Sequence, residues 1–311
     1  MPELDLQLQH WLETQSRFEE CLVSRVVPFT GGASNITCRV DLEGWTQSSL
    51  VLRLQRQEGI FAPYDVIREA RVHRALRDAP FPVPAVIAEE PDQGPLGAPF
   101  ILLELIDGLH MGEAGAEADF SQFVGAVAAI HEFDWRAAGL QFLGEPRSSG
   151  EAISREIGAV VARMALFGCE NDDRLLAGVE RLRSRIPDDG RVVFCQGDIN
   201  AFNYLFRDHR LVGVVDWEQA HLGDSRSDLG QLLALTHLKG APLLPPSDLP
   251  FVNAYEAVSG RAQQGLEFFR AFWFFQLSVI HAGWVKFNGT SPWFDRGHAT
   301  ALLEQALAEV D

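Results

Sequence analysis

Asp198 and Asn203 stand five residues apart in "FCQGDINAFNYLF", between two apolar runs, and Asp216 follows thirteen residues later in "VVDWEQ". Asn203 and Asp216, if brought together, make an all-oxygen site of the kind a hard cation such as Mg²⁺ takes, completed by water and phosphate oxygens. Asp198 is then left to orient a hydroxyl group and accept its proton. That division of labour suits the movement of a phosphoryl group onto a hydroxyl. Any one of the three, taken singly, reads as an ordinary turn residue, because Asp and Asn bond readily to nearby backbone. The ordered trio after apolar strands is the signal.

The elements that must hold these residues are legible from pattern. Residues 4–17 read as a short amphipathic helix. The runs "CLVSRVVPF", "ITCRVDL" and "SSLVLRL" read as strands, as do "VPAVIAEE" and "PFILLELIDG" on either side of the turn "PDQGPLGAP". A helix, "YDVIREARVHRALRD", opens after Pro63. After Gly108 the periodicity is helical in "ADFSQFVGAVAAIHEF", "SGEAISREIGAVVARMALF" and "DDRLLAGVERLRSRI". A strand pair around the opening motif follows, with "RLVGVVDWEQA" as its second member, and a hairpin-like return sets Asp216 beside Asn203. The expected organisation is a strand-rich lobe over 1–106 and a helix-rich lobe over 107–311, with a ligand cleft between them. The aromatic run from Phe268 to Phe275 reads as core.

"QGDINAFN" followed by "VVDWEQAHLGDSRSDLG" resembles the paired signature of the aminoglycoside phosphotransferase-like (choline kinase) family. That signature is His-Gly-Asp, four variable residues and Asn, then Asp-Trp-Glu, Gly-Asp-Pro and a further Asp-Leu. The resemblance runs through nearly the whole chain. It implies an α+β, protein-kinase-like two-lobe fold, with a small five-stranded antiparallel N-lobe and a larger, mainly helical C-lobe. It implies Asp198 as catalytic base, Asn203 and Asp216 as Mg²⁺ ligands, Asp228 as a support of the catalytic loop, and ATP or GTP as co-substrate. "TGGASN" matches the phosphate-covering loop: Gly31 and Gly32 let backbone approach phosphate, and Ser34 and Asn35 donate to it. "ILLELIDG" matches the hinge, where backbone near Glu104 to Ile106 meets an adenine edge.

Three positions depart from the family's pattern. Gln196 replaces the usual His of the loop, but it also donates and accepts hydrogen bonds. Ser225 replaces the usual Pro after Gly-Asp. Arg53 stands where a nucleotide-anchoring Lys is usual; it keeps the cation and changes its geometry from a compact ammonium to a planar fork. An Arg here resembles the subgroup related to the kinase-like domain fused to acyl-CoA dehydrogenases. Its expected partner is Glu69, whose spacing from Val72 and Leu76 puts the carboxylate on the apolar face of its helix, where an acid needs a charged companion. His131 is expected to make a structural hydrogen bond. His221 and His281 lack companion ligands for zinc.

The bulk numbers exclude some partners. With 26 basic and 43 acidic side chains the formal charge is −17, which repels nucleic acid and anionic membranes. No Gly-x-Ser-x-Gly elbow and no Walker-type loop is present. "AFWFFQLSVIHAGWV" is too short and too polar to span a bilayer. Cys21, Cys38, Cys169 and Cys195 lie far apart, and the N-terminal stretch is acidic and amphipathic, so a cytoplasmic setting with reduced thiols is expected. The sequence therefore predicts a Mg²⁺-dependent small-molecule kinase acting on a substrate hydroxyl. The alternative is a non-catalytic nucleotide-binding or scaffold protein of the same fold. Acidic balance leans toward a cationic acceptor and the Arg53 subgroup toward an acyl-linked one. Oligomeric state is not encoded in any motif.

Overall fold

The structure, a computed structural model, describes residues 2–29, 34–114, 119–235, 249–291 and 295–310. Two compact units emerge, one of residues 1–78 with 83–107 and one of 79–82 with 108–311.

The first unit holds α1 (Pro2–Glu13), β1 (Leu22–Pro28), β2 (Ile36–Glu43), β3 (Ser49–Leu54), α2 (Val66–Ala75), β4 (Val86–Glu90) and β5 (Phe100–Glu104). The five strands form one antiparallel sheet in the order β1-β2-β3-β5-β4. Central β3 is covered on both faces, which is why "SLVLRL" shows little polar alternation. Leu50, Leu52 and Leu54 pack with Leu4, Leu8, Trp11 and Leu12, the apolar stripe of α1. The opposite face carries Val51, Ile101 and Leu103 against Val66 and Ala70 of α2. Strand alternation puts Arg53 on that α2 face. The helix α2 starts two residues later than its sequence pattern suggests, because the Asp65 carboxylate caps it, accepting from Arg68 N at 2.8 Å.

The second unit holds β6 (Leu109–His110), α3 (Met111–Ala114), α4 (Phe120–Glu132), α5 (Ser149–Phe167), α6 (Asp173–Ser184), β7 (Val192–Cys195), β8 (Tyr204–Arg207), β9 (Arg210–Val214), β10 (His221–Asp224), α7 (Ser225–Leu235), α8 (Leu249–Ser259), α9 (Leu266–Asn288) and α10 (Arg296–Glu309). Phe268, Phe269, Phe272, Phe274 and Phe275 of α9 are buried in the core with side chains of α5, α6 and α10, as the aromatic run suggested. Among the described residues no helix is long and apolar enough to cross a membrane.

The strand pairing differs from the sequence expectation in one respect. β7 pairs with β10, whereas β9 returns along β8. The β8–β9 turn is made by Asp208 and His209, both left-handed at φ 49° and 61°. Two consecutive left-handed residues make the tight turn that matches strand twist, normally signalled by Asn-Gly. With Asp-His there instead, the hairpin could be inferred only from the apolar runs.

β10 and α5 meet at a half-buried ion pair. His221 Nε2 lies 3.6 Å from Glu156 Oε1, and Glu156 Oε2 accepts from Ser227 Oγ at 2.7 Å. Burial alone lowers the imidazole pKa, but the Glu156 carboxylate, with Asp228 and the Gln219 carbonyl adding to it, outweighs that and holds the group at about 9 against an ordinary 6.5. A His pKa raised on folding adds stability that is fully present below about pH 6.5 and is lost as pH rises through about 9. Thermal melts of the wild type should therefore fall between those values. In His221→Gln that slope should flatten; an unchanged slope would show that the pair does not set it.

Candidate active site

The loop after β7 is fixed from below by one buried acid. Asp228, in the first turn of α7 and 1% exposed, accepts from the backbone N–H of Gln196 and of Gly197, both at 3.0 Å. It also meets His131 Nε2 at 3.1 Å, while His131 Nδ1 reaches Tyr255 Oη at 2.8 Å. His131, Cys195 and Asp228 gather closely enough to suggest a metal, yet the Asp228 oxygens are already engaged by these donors. Cys195 is a buried thiol donating to Asp224 O, its pKa pushed up by burial.

Gln196 shows how an amide fills the place of the family's His. Its Nε2 donates to Val215 O at 2.9 Å and its Oε1 accepts from Tyr204 Oη at 2.7 Å, tying the end of β7 to the segment before Asp216. The next residue must be Gly. Gly197 has φ 81°, and a Cβ there would sit 2.4 Å from Gln219 O. Gly197→Ala is expected to destabilise by about 2 kcal/mol or more from backbone strain and clash together. A melting temperature equal to wild type would contradict that placement.

Asp198 is half-buried and held by three amides. Oδ1 accepts from Asn200 Nδ2 at 2.7 Å and from Gln231 Nε2 at 2.6 Å; Oδ2 accepts from Asn203 Nδ2 at 3.0 Å. Desolvation first and the Asp216 charge second raise its pKa to about 6, against the pull of the three amide donors. Asn203 is 7% exposed and also donates to the Asp198 carbonyl at 2.8 Å. Its nitrogen is thereby committed to Asp198, so its side-chain oxygen is the atom suited to a cation.

Val215 N donates to Asn203 O at 2.9 Å, which extends the β8–β9 hairpin and puts Asp216 next in chain to that bond. Asp216 itself is left-handed, at φ 62°. A non-Gly residue held there signals a local geometry imposed by its surroundings. The donor set fits Mg²⁺: amide and carboxylate oxygens, with two acids close enough that the charge of one resists ionisation of the other.

In the first unit, Arg53 Nε lies 3.0 Å from Glu69 Oε2, with the two side chains 9% and 0% exposed. His73, one turn along α2, sets Nε2 at 3.7 Å from Glu69 Oε1 and Nδ1 at 2.9 Å from Pro84 O. The expected acid–cation pair thus has a third, unforeseen member at helical spacing. Asn35 is buried and its Oδ1 accepts from Arg56 N at 3.2 Å; Ser34 is half-buried. Gly31 and Gly32 lie outside the described residues. Glu104 gives its N–H to Ala85 O and accepts from Ala85 N, so of the expected hinge groups this N–H is already used. Ile106 is half-buried.

Sequence reasoning missed Gln231, Asn200 and His73. Gln231 follows Asp228 by three residues on one helix face, and His73 follows Glu69 by four, so helical spacing from a chosen acid would have found both.

A family model described as the phosphotransferase enzyme family matches residues 25–272. Acyl-CoA dehydrogenase family member 10 of Mus musculus is 24% identical over 242 residues, covering 74% of this chain and 21% of that protein. The chain spans 21–40% of the length of the curated relatives it matches. A Ralstonia eutropha JMP134 structure, provisionally assigned as an aminoglycoside phosphotransferase, superposes with TM-score 0.70 and 23% identity over 98% of both chains. Macrolide 2′-phosphotransferase MphH of Brachybacterium faecium gives 0.57 and 20%, also over 98% of both. These likenesses show an α+β, kinase-like fold, including its five-stranded antiparallel sheet.

Proposed function

Because the chain belongs to the phosphotransferase enzyme family, we propose that it is a small-molecule kinase, moving the γ-phosphoryl group of ATP or GTP to a substrate hydroxyl with Mg²⁺. The observation that carries this is the Asp198 carboxylate, fixed by three amides beside the oxygen donors Asn203 and Asp216.

Asn203 and Asp216 would hold the cation, which when bound supplies charge neutralisation on phosphate oxygens. Asp198 orients the acceptor and takes its proton. Asp228 and Gln196 keep the loop in shape through the backbone contacts described above. In the first unit Glu69 holds the Arg53 guanidinium, which suits a two-point clamp on phosphate. Ser34 and Asn35 would cover the phosphates, with Gly31 and Gly32 as the family resemblance implies, and backbone near Glu104 to Ile106 would take the base. Residues 1–106 are thus the nucleotide-binding part and 107–311 the catalytic part. Most of the rate gain comes from positioning and charge stabilisation.

The acceptor is an alcohol. Trials should include aminoglycosides, macrolides and choline, and also hydroxyacyl thioesters, because the curated relatives are named as acyl-CoA dehydrogenases. Incubation with ATP or GTP and Mg²⁺, read by mass spectrometry for one added phosphoryl group, tests the proposal. A product that requires Asp198 supports it. Nucleotide binding without phosphorylation of any alcohol favours the second reading, a nucleotide-binding scaffold, for which Arg53 and Gln196 are the motivating departures.

A further inference from the structure

We propose that Gln231 is a positioning residue for phosphoryl transfer: by occupying Oδ1 of Asp198 it leaves Oδ2 as the oxygen that takes the acceptor's proton. This rests on Asp198 being the base.

The orientation of the amide is fixed by its partners. Gln231 Oε1 accepts from Ile199 N at 2.8 Å, a backbone N–H that can only donate, so Nε2 must face Asp198. The same logic holds for Asn200, whose Oδ1 accepts from Phe202 N at 2.9 Å. Each carboxylate oxygen has about two acceptor positions. On Oδ1 both are filled, at 2.6 and 2.7 Å, whereas among the described residues Oδ2 has one donor, Asn203, at 3.0 Å. One lone pair of Oδ2 therefore remains for a hydroxyl. Asn200 belongs to the same loop as Asp198. Gln231, 4% exposed, belongs to α7 and ties the carboxylate to the helix that also carries Asp228.

The step balances as follows. The acceptor O–H bond breaks and its proton goes to Oδ2. The freed oxygen bonds to the γ-phosphorus as the bond from that phosphorus to the bridging β–γ oxygen breaks, and ADP or GDP leaves.

The test uses the full chain with Mg²⁺ and ATP, following ADP release to water or to any acceptor found, in Gln231→Leu, Gln231→Glu and Asp198→Ala. Gln231→Leu removes both contacts. Gln231→Glu at pH 8.5 keeps an acceptor for Ile199 N–H and, when ionised, cannot donate to Asp198. Both are expected to lower kcat by about tenfold or more with KM for ATP within about twofold. In a crystal structure of Gln231→Leu the Asp198 carboxylate is expected to turn from its present orientation. Wild-type kcat in Gln231→Leu, or an unmoved carboxylate, would overturn the proposal. A wild-type rate in Gln231→Glu would reduce Gln231 to a loop pin through Ile199 and overturn it too. Equal turnover in wild type and Asp198→Ala would instead refute the kinase reading on which it stands.

Discussion

Asp198→Ala is expected to lower phosphoryl-transfer turnover by about 10²–10⁴-fold, the usual worth of a positioned proton acceptor, while Mg²⁺-dependent nucleotide binding changes little. The side chain lies beside the proposed cation ligands, and Asn203 and Asp216 remain in the variant, so the nucleotide keeps its proposed cation site. Stability should not suffer. Folding raises the Asp198 pKa to about 6 from an ordinary 3.8, so the ionised carboxylate is disfavoured in the folded chain at neutral pH. Removing it relieves that cost, although three amide donors lose an acceptor. Turnover near wild type would remove Asp198 from the chemistry. A large fall in melting temperature would mean that its contacts with Asn200, Asn203 and Gln231 matter more to the fold than to the reaction.

Asp228→Ala should have the largest effect on stability. Its carboxylate is 1% exposed and accepts from two backbone N–H groups besides meeting His131. Without it, two buried donors lose their acceptor and the imidazole loses its anion. Breaking such a buried charged network costs about 3–5 kcal/mol, which corresponds to a melting shift on the order of 10 °C for a unit of this size. Turnover should fall as well, because Gln196 and Gly197 set the direction from which Asp198 emerges. Asp228→Asn, which keeps one acceptor oxygen, should lie between the two. A melting temperature within a degree or two of wild type for Asp228→Ala would show that the loop is held by other contacts.

The legible part of the site was the part written in local spacing. Asp198 and Asn203 lie within one loop, and a two-strand return brings Asp216 to Asn203, so the apolar runs on either side sufficed. Glu69 was legible because the helical period puts it on a buried face, where an acid requires a cation, and the family resemblance supplied Arg53 as that cation. The missed parts depend on tertiary neighbours. β7 pairs with β10 across an intervening hairpin, a choice no short window contains. Gln231 and His73 look like ordinary helix residues until the acid they face is known. Asn200 was passed over because an Asn in a loop has many local uses.

The most direct measurement is isothermal titration of the protein with ATP and with GTP, each with and without Mg²⁺, alongside Asp216→Ala. The expected result is nucleotide binding that requires Mg²⁺ and is lost in the variant, since Asp216 is the only carboxylate proposed as a ligand of the cation. Binding that is indifferent to Mg²⁺ and to Asp216, or no binding of either nucleotide at millimolar concentration, would contradict the phosphotransferase site.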